Sequence, residues 1–144
     1  MSIQQISVFA ENKPGTMKTL TDVLAANNID MRALSLAEAK EFGIVRIIAD
    51  NVYAAVTALK DAGFIYSITP VLGVAIPDHP GGLTQVLHLL YNAEVNVEYM
   101  YAFLGGKRAD SAYMILRVQD ETAASAALQA AGIRLVDQEE ISQI

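Results

Sequence analysis

The sequence has no cysteine and no tryptophan, only two histidines, and 18% charged residues where about 25% is usual. Without cysteine there is no disulfide, thiolate nucleophile, Cys-ligated zinc or iron–sulfur cluster. The same absence suits a reducing compartment, so the cytoplasm is the expected location. His79 and His88 stand nine residues apart. That is not the i, i+4 spacing that puts two imidazoles on one metal, so no metal and no cofactor is expected. Basic residues are scarce: 10 Lys and Arg against 16 Asp and Glu give a net charge of −6. Such a chain repels phosphate backbones and anionic lipids, so neither nucleic acid nor a membrane is an expected partner. No apolar run approaches the ~18 residues of a membrane span. Met1-Ser2-Ile3-Gln4-Gln5 has neither a basic start nor an apolar stretch behind it, so no signal peptide is expected. The P-loop, G-x-G-x-x-G and H-E-x-x-H motifs are missing as well. An active site needs several convergent groups, and none is visible here, so the chain is not expected to be an enzyme.

Apolar residues, at 53% of the chain, are abundant. Phe42 to Ala49 and Met100 to Leu104 are apolar on both faces of a strand. That predicts a second face covered by the other half of the chain or by another chain, and hence a homodimer.

A short pattern occurs twice. Asn12-Lys13-Pro14-Gly15-Thr16-Met17 returns as Asp78-His79-Pro80-Gly81-Gly82-Leu83, 66 residues later. Each copy follows an alternating apolar segment (Ile6, Val8, Ala10; Leu72, Val74, Ile76). Each opens a segment with helical spacing (Met17, Leu20, Leu24; Leu83, Val86, Leu90). The rest repeats too. The first half reads as strands from Ile29 to about Ala39 and from Phe42 to Ala49, a helix capped by Asp50 or Asn51 and stopped by Gly63, and a strand over Phe64 to Ile68. Thr69-Pro70 reads as the break between halves. The second half has a longer hairpin with Gly105-Gly106-Lys107-Arg108 at its tip, then Gly132, a strand over Ile133 to Val136, and a polar tail. The expectation is two domains, 1–69 and 70–144, each a βαββαβ unit: an antiparallel sheet with both helices on one face, an α+β, ferredoxin-like fold. The RNA-recognition motif shares this order, but its alternating aromatics are missing from the third strands.

Proline suits a first helical position, which places Lys13 and His79 at the N-caps, where neither closes the helix end. Asn12 or Asp78 folds over the end as an Asx turn, or the amides stay open and attract a carboxylate. Tyr99, Tyr101 and Phe103 alternate on one sheet face, either as packing or as an aromatic wall.

The D-x-P-G-x-L pattern between first strand and first helix resembles the ACT domain. Asp78 to Leu83 fits at every position; the first copy departs at Asn12 and Met17. The family's small-polar-apolar step into its second strand is similar to Asn28-Ile29-Asp30 and Glu94-Val95-Asn96, and its glycine after the second helix to Gly63 and Gly132. The chain most resembles small bacterial proteins made only of two ACT units. ACT domains are regulatory modules that bind amino acids, in enzymes such as aspartokinase and phosphoglycerate dehydrogenase. The resemblance implies a ligand between units, held by Asn12, Pro14, Gly15 and Thr16 with Asn28, Ile29 and Asp30. The equivalent set is Asp78, Pro80, Gly81, Gly82 and Leu83 with Val95 and Asn96; His79, in the same loop, is a further ligand-facing candidate. It implies a non-catalytic amino-acid sensor or, alternatively, a regulatory subunit that docks onto a biosynthetic enzyme without a ligand of its own. Of the two loops the second is expected to bind more strongly, since it matches the family pattern without exception and Gly81-Gly82 would let a ligand approach the backbone at two successive residues.

Overall fold

The computed structural model describes residues 2–37, 40–103 and 111–143. The hairpin tip at Gly105 to Arg108 and the expected strand ends at Ala39 and Leu104 lie outside the described residues. The chain divides into two compact units, Gln4–Thr69 and Met1–Ile3 with Pro70–Ile144.

In the first unit β1 (Ile3–Glu11) leads into α1 (Thr16–Ala26), followed by β2 (Met31–Ala37), β3 (Phe42–Ala49), α2 (Val52–Asp61) and β4 (Ile65–Pro77). The strands are antiparallel, with β3 between β1 and β2 and β4 beside β1. Register puts Ile6 opposite Ile47 and Val8 opposite Val45, so these residues share one sheet face. Leu20 and Leu24 of α1 and Ala55 and Leu59 of α2 pack on that face as one buried core.

The second unit repeats the plan with α3 (Gly82–Asn92), β5 (Val97–Ala102), β6 (Ser111–Val118), α4 (Glu121–Ala130) and β7 (Arg134–Val136). Here β6 lies between β4 and β5, and β7 pairs with β4. Leu72, Val74, Val86, Leu90, Leu116 and Leu128 form the equivalent core. Each unit is therefore the α+β, ferredoxin-like βαββαβ fold.

The helices show why these segments stop where they do. Asn51 caps α2 by accepting from the Ala54 amide, and Asp120 caps α4 by accepting from the Ala123 amide. All four end in the same six-to-one and five-to-two hydrogen-bond pair. In α1, Ile29 N–H donates to Leu24 O and Asn28 N–H to Ala25 O; in α3, Val95 donates to Leu90 and Glu94 to Tyr91. The residue past the cap has positive φ each time: Gly63 and Gly132 after α2 and α4, but Asn28 and Glu94 after α1 and α3.

Two features add to the sequence reading. β4 runs continuously through Thr69-Pro70, and the boundary between the two compact units falls at that point. The fixed φ of proline suits extended chain and costs only a ladder donor, and Arg117 Nη1 donates to the Pro70 carbonyl at 2.8 Å. The polar tail has structure of its own. It forms α5 (Gln138–Gln143), with Asp137 accepting from the Glu140 amide. Ile141 of α5 is buried against the sheet face that α3 and α4 leave bare, next to Phe103, Tyr113 and Val136. Ile3 reaches the same face over Gly73, where any Cβ would meet its Cδ1 at 2.6 Å. That face, expected to need the other repeat or another chain, takes part of its cover from its own tail.

Candidate functional site

The two Pro-Gly segments are type II β-turns that run straight into helices. Thr16 N–H donates to Lys13 O at 3.4 Å, and Gly82 N–H to His79 O at 3.0 Å. Proline occupies the second position and glycine the third, with φ of +91° at Gly15 and +88° at Gly81. A type II turn requires positive φ there. The N-caps are therefore Gly15 and Gly81, not Lys13 and His79: the proline's fixed φ serves the turn rather than the first helical residue. Neither glycine cap has a side chain to satisfy the helix-start amides. Asn12 ties the turn to the β2–β3 connection, with its N–H donating to Glu41 O at 2.7 Å and its Nδ2 lying 3.5 Å from Lys40 O. His79 is occupied locally: its Nδ1 lies 2.9 Å from the Pro80 carbonyl, which can only accept, so Nδ1 carries the proton.

At the first turn the surface opens into a cleft of about 580 Å³, within the ~300–1,000 Å³ range of small-molecule sites. Its floor is the end of β1 and the Pro14-Gly15-Thr16 turn, and its walls are Phe42 at the start of β3 and Gly63, Phe64 and Ile65 between α2 and β4. Phe9, Phe42 and Ile65 are 51%, 53% and 70% exposed. The Thr16 hydroxyl, also in the lining, is buried with no hydrogen-bond partner. Among the described residues two charged side chains line the cleft, Glu11 and Lys13, and they pair at 2.7 Å.

The second turn has the same backbone but less room. A Cβ on Gly82 would meet the Pro77 carbonyl oxygen at 2.1 Å. Gly82 is buried, so its missing side chain serves the chain's own packing and opens nothing to a ligand. That removes the second glycine from the case for ranking this loop first; its complete match to the motif stands.

Of the residues the resemblance implied, Pro14, Gly15 and Thr16 come together in the first cleft. Ile29 and Val95 do not face solvent; they belong to the two cores. Asn28 takes the left-handed position that ends α1. Exposed Asp30 pairs with Arg32 at 2.8 Å and donates its amide to Asp50. Asp78 and Leu83 lie at the second turn, and Asn96 is exposed with its carbonyl accepting from Gln119. Phe103 packs on Tyr113 with ring centroids 5.9 Å apart, and Tyr101 and Phe103 are buried. The cleft's apolar wall comes from residues that carry no motif. Phe9, Phe42 and Ile65 are far apart in sequence; strand register joins the first two, and the third comes from the start of β4.

Among the described residues no group of three His, Cys, Asp or Glu could hold a metal ion, and no helix is long and apolar enough to cross a membrane.

Comparison with known proteins agrees with this architecture. The model of one family, described as an ACT domain pair, matches residues 1–144. Among solved structures, the chain is similar to protein BT0572 from Bacteroides thetaiotaomicron, with 34% identity, TM-score 0.92, and 100% of this chain and 98% of that one covered. It is also similar in fold to the regulatory subunit of aspartate kinase from Thermus thermophilus, in a ligand-free form, at 17% identity and TM-score 0.67 over 90% of each chain. The corresponding subunit from Thermus flavus gives 15% identity and TM-score 0.62 over 90% and 92%. No curated protein matches.

Proposed function

The chain belongs to the ACT domain pair family, a family of regulatory modules, and from that membership we propose that it is a non-catalytic amino-acid sensor. One observation carries the reading: the cleft at the first Pro-Gly turn, concave and close to the uncapped start of α1. A zwitterion asks for donors at its carboxylate and acceptors at its ammonium. The first-turn amides of α1 and Lys13 supply the former, and Glu11 supplies the latter. A ligand there would act by its differential affinity for two states of an assembly.

The assembly is part of the proposal. Phe9, Leu36, Phe42 and Ile65 are large apolar side chains left exposed, which supports a homodimer. The cysteine-free sequence supports a cytoplasmic setting. The same exposed apolar residues favour one alternative, a ligand-free subunit docked on an amino-acid biosynthetic enzyme.

A thermal-shift screen of the twenty amino acids at millimolar concentration separates the two. A ligand at a hundredfold excess over Kd adds about 2.7 kcal/mol, which raises Tm by roughly 5–10 °C in a chain of this size. A selective shift supports the sensor. No shift with any amino acid, confirmed by calorimetry, leaves the docking subunit.

A further inference from the structure

We propose that the cleft selects an amino acid with a large, uncharged, apolar side chain, that Phe9, Phe42 and Ile65 select it, and that each chain has one such site. The inference rests on the sensor reading and adds the ligand's class and the residues that choose it.

Three large apolar side chains, each half-exposed or more, surround one concave space. The strands assemble them: Phe9 lies opposite Ile44 and Glu11 opposite Phe42 on neighbouring strands, and Ile65 opens β4. An apolar ligand group placed among them removes apolar area from water on both partners. The charges fit the same ligand. Glu11 and Lys13 are one of each sign and already paired. They match a zwitterionic head and leave no partner for a third charge, which would be desolvated against phenylalanine rings.

The second repeat supplies the internal control. Register and offset place Ala75 where Phe9 stands, Ser111 where Phe42 stands, and Arg134 where Ile65 stands. Among the described residues the wall is gone. Arg134 is committed to Glu140 of α5 and to the Tyr113 hydroxyl. The turn is shared by both repeats; among the described residues the side-chain pocket belongs to one.

Calorimetry on the full chain with phenylalanine, leucine, alanine, aspartate and lysine tests this. Phenylalanine or leucine should bind at one site per chain, at least tenfold tighter than alanine, with aspartate and lysine giving no measurable heat. Phe42→Ala should weaken phenylalanine binding about tenfold and leave alanine within about twofold. Phe9→Ala should do the same, and serves if circular dichroism shows the first variant unfolded. Tightest binding by a small or charged amino acid, two sites per chain, or an unchanged phenylalanine-to-alanine ratio in the folded variant overturns the selectivity and leaves the sensor reading standing. Failure of all twenty amino acids to bind overturns both.

Discussion

The two Pro-Gly turns share a backbone and differ in what stands beside it. In each, proline and glycine form a type II turn whose glycine is the N-cap. The residue after that glycine then decides the outcome. Thr16 keeps a Cβ, its turn hydrogen bond is 3.4 Å long, and a cleft lies against it. Gly82 has none, its bond is 3.0 Å, and the chain closes to where a Cβ would sit 2.1 Å from Pro77 O. A motif match thus locates a turn, while the side chains around it decide whether the turn is a site. By motif alone the second copy is the better ACT loop; by surroundings the first is the better pocket.

The strongest way to break the comparison is to make the second turn resemble the first. Gly82→Thr forces a Cβ against backbone that cannot swing aside. Overpacking of this kind costs about 3 kcal/mol, and Tm should fall by roughly 6–12 °C. Thr16→Gly, the reverse change, adds only the entropy of a glycine in a helix, about 1 kcal/mol at most. Equal losses in the two variants, read by thermal melts, would show that Gly82 is not under the steric constraint argued here.

Next in size is the cover that α5 gives the second unit. Ile141→Ala removes the one buried side chain of α5. Truncating a buried isoleucine costs about 2 kcal/mol or more; the low end applies to a six-residue terminal helix. The exchange protection of the Glu140 and Ile141 amides should fall with it. A variant as stable as the parent would mean that α5 adds nothing to the fold of its unit.

How much of this was legible follows from the range of each signal. Local signals were read well. Pro-Gly marked both turns, Asn51 its cap, Gly63 its helix end, and Phe42 to Ala49 its strand, because each depends on neighbours a few residues away. The position of the N-caps was misread by two residues, since proline also suits the second position of a turn. The helix in the polar tail was not anticipated, for want of weight given to Asp137 and Glu140, whose spacing is that of a helix start, with a single apolar residue behind them. The two units divide at Thr69-Pro70, yet β4 continues through it, because proline disturbs extended chain less than a helix. The wall of the cleft was not legible: antiparallel register brings Phe9 and Phe42 onto neighbouring strands, and Ile65 joins them from the start of β4, which no local pattern reports.

The finest test of the comparison lies where α1 and α3 end. Asn28 and Glu94 occupy equivalent left-handed positions, with φ of 55° and 57°. An L residue pays about 1–2 kcal/mol there, and Asn pays least because its short amide tolerates the region. Glycine pays nothing for the conformation but loses more freedom on folding, so the net gain is smaller than the strain relieved. Glu94→Gly should therefore stabilise the chain by about 0.5–1 kcal/mol, and Asn28→Gly by a few tenths at most, both read from urea melts at constant m-value. Asn28 is also a residue that the family resemblance places at a ligand. If the helix end alone explains it, Asn28→Gly leaves the affinity for an amino acid unchanged along with the stability. A variant that keeps its stability and loses its ligand would return Asn28 to the site and extend the cleft beyond its present lining to the far end of α1.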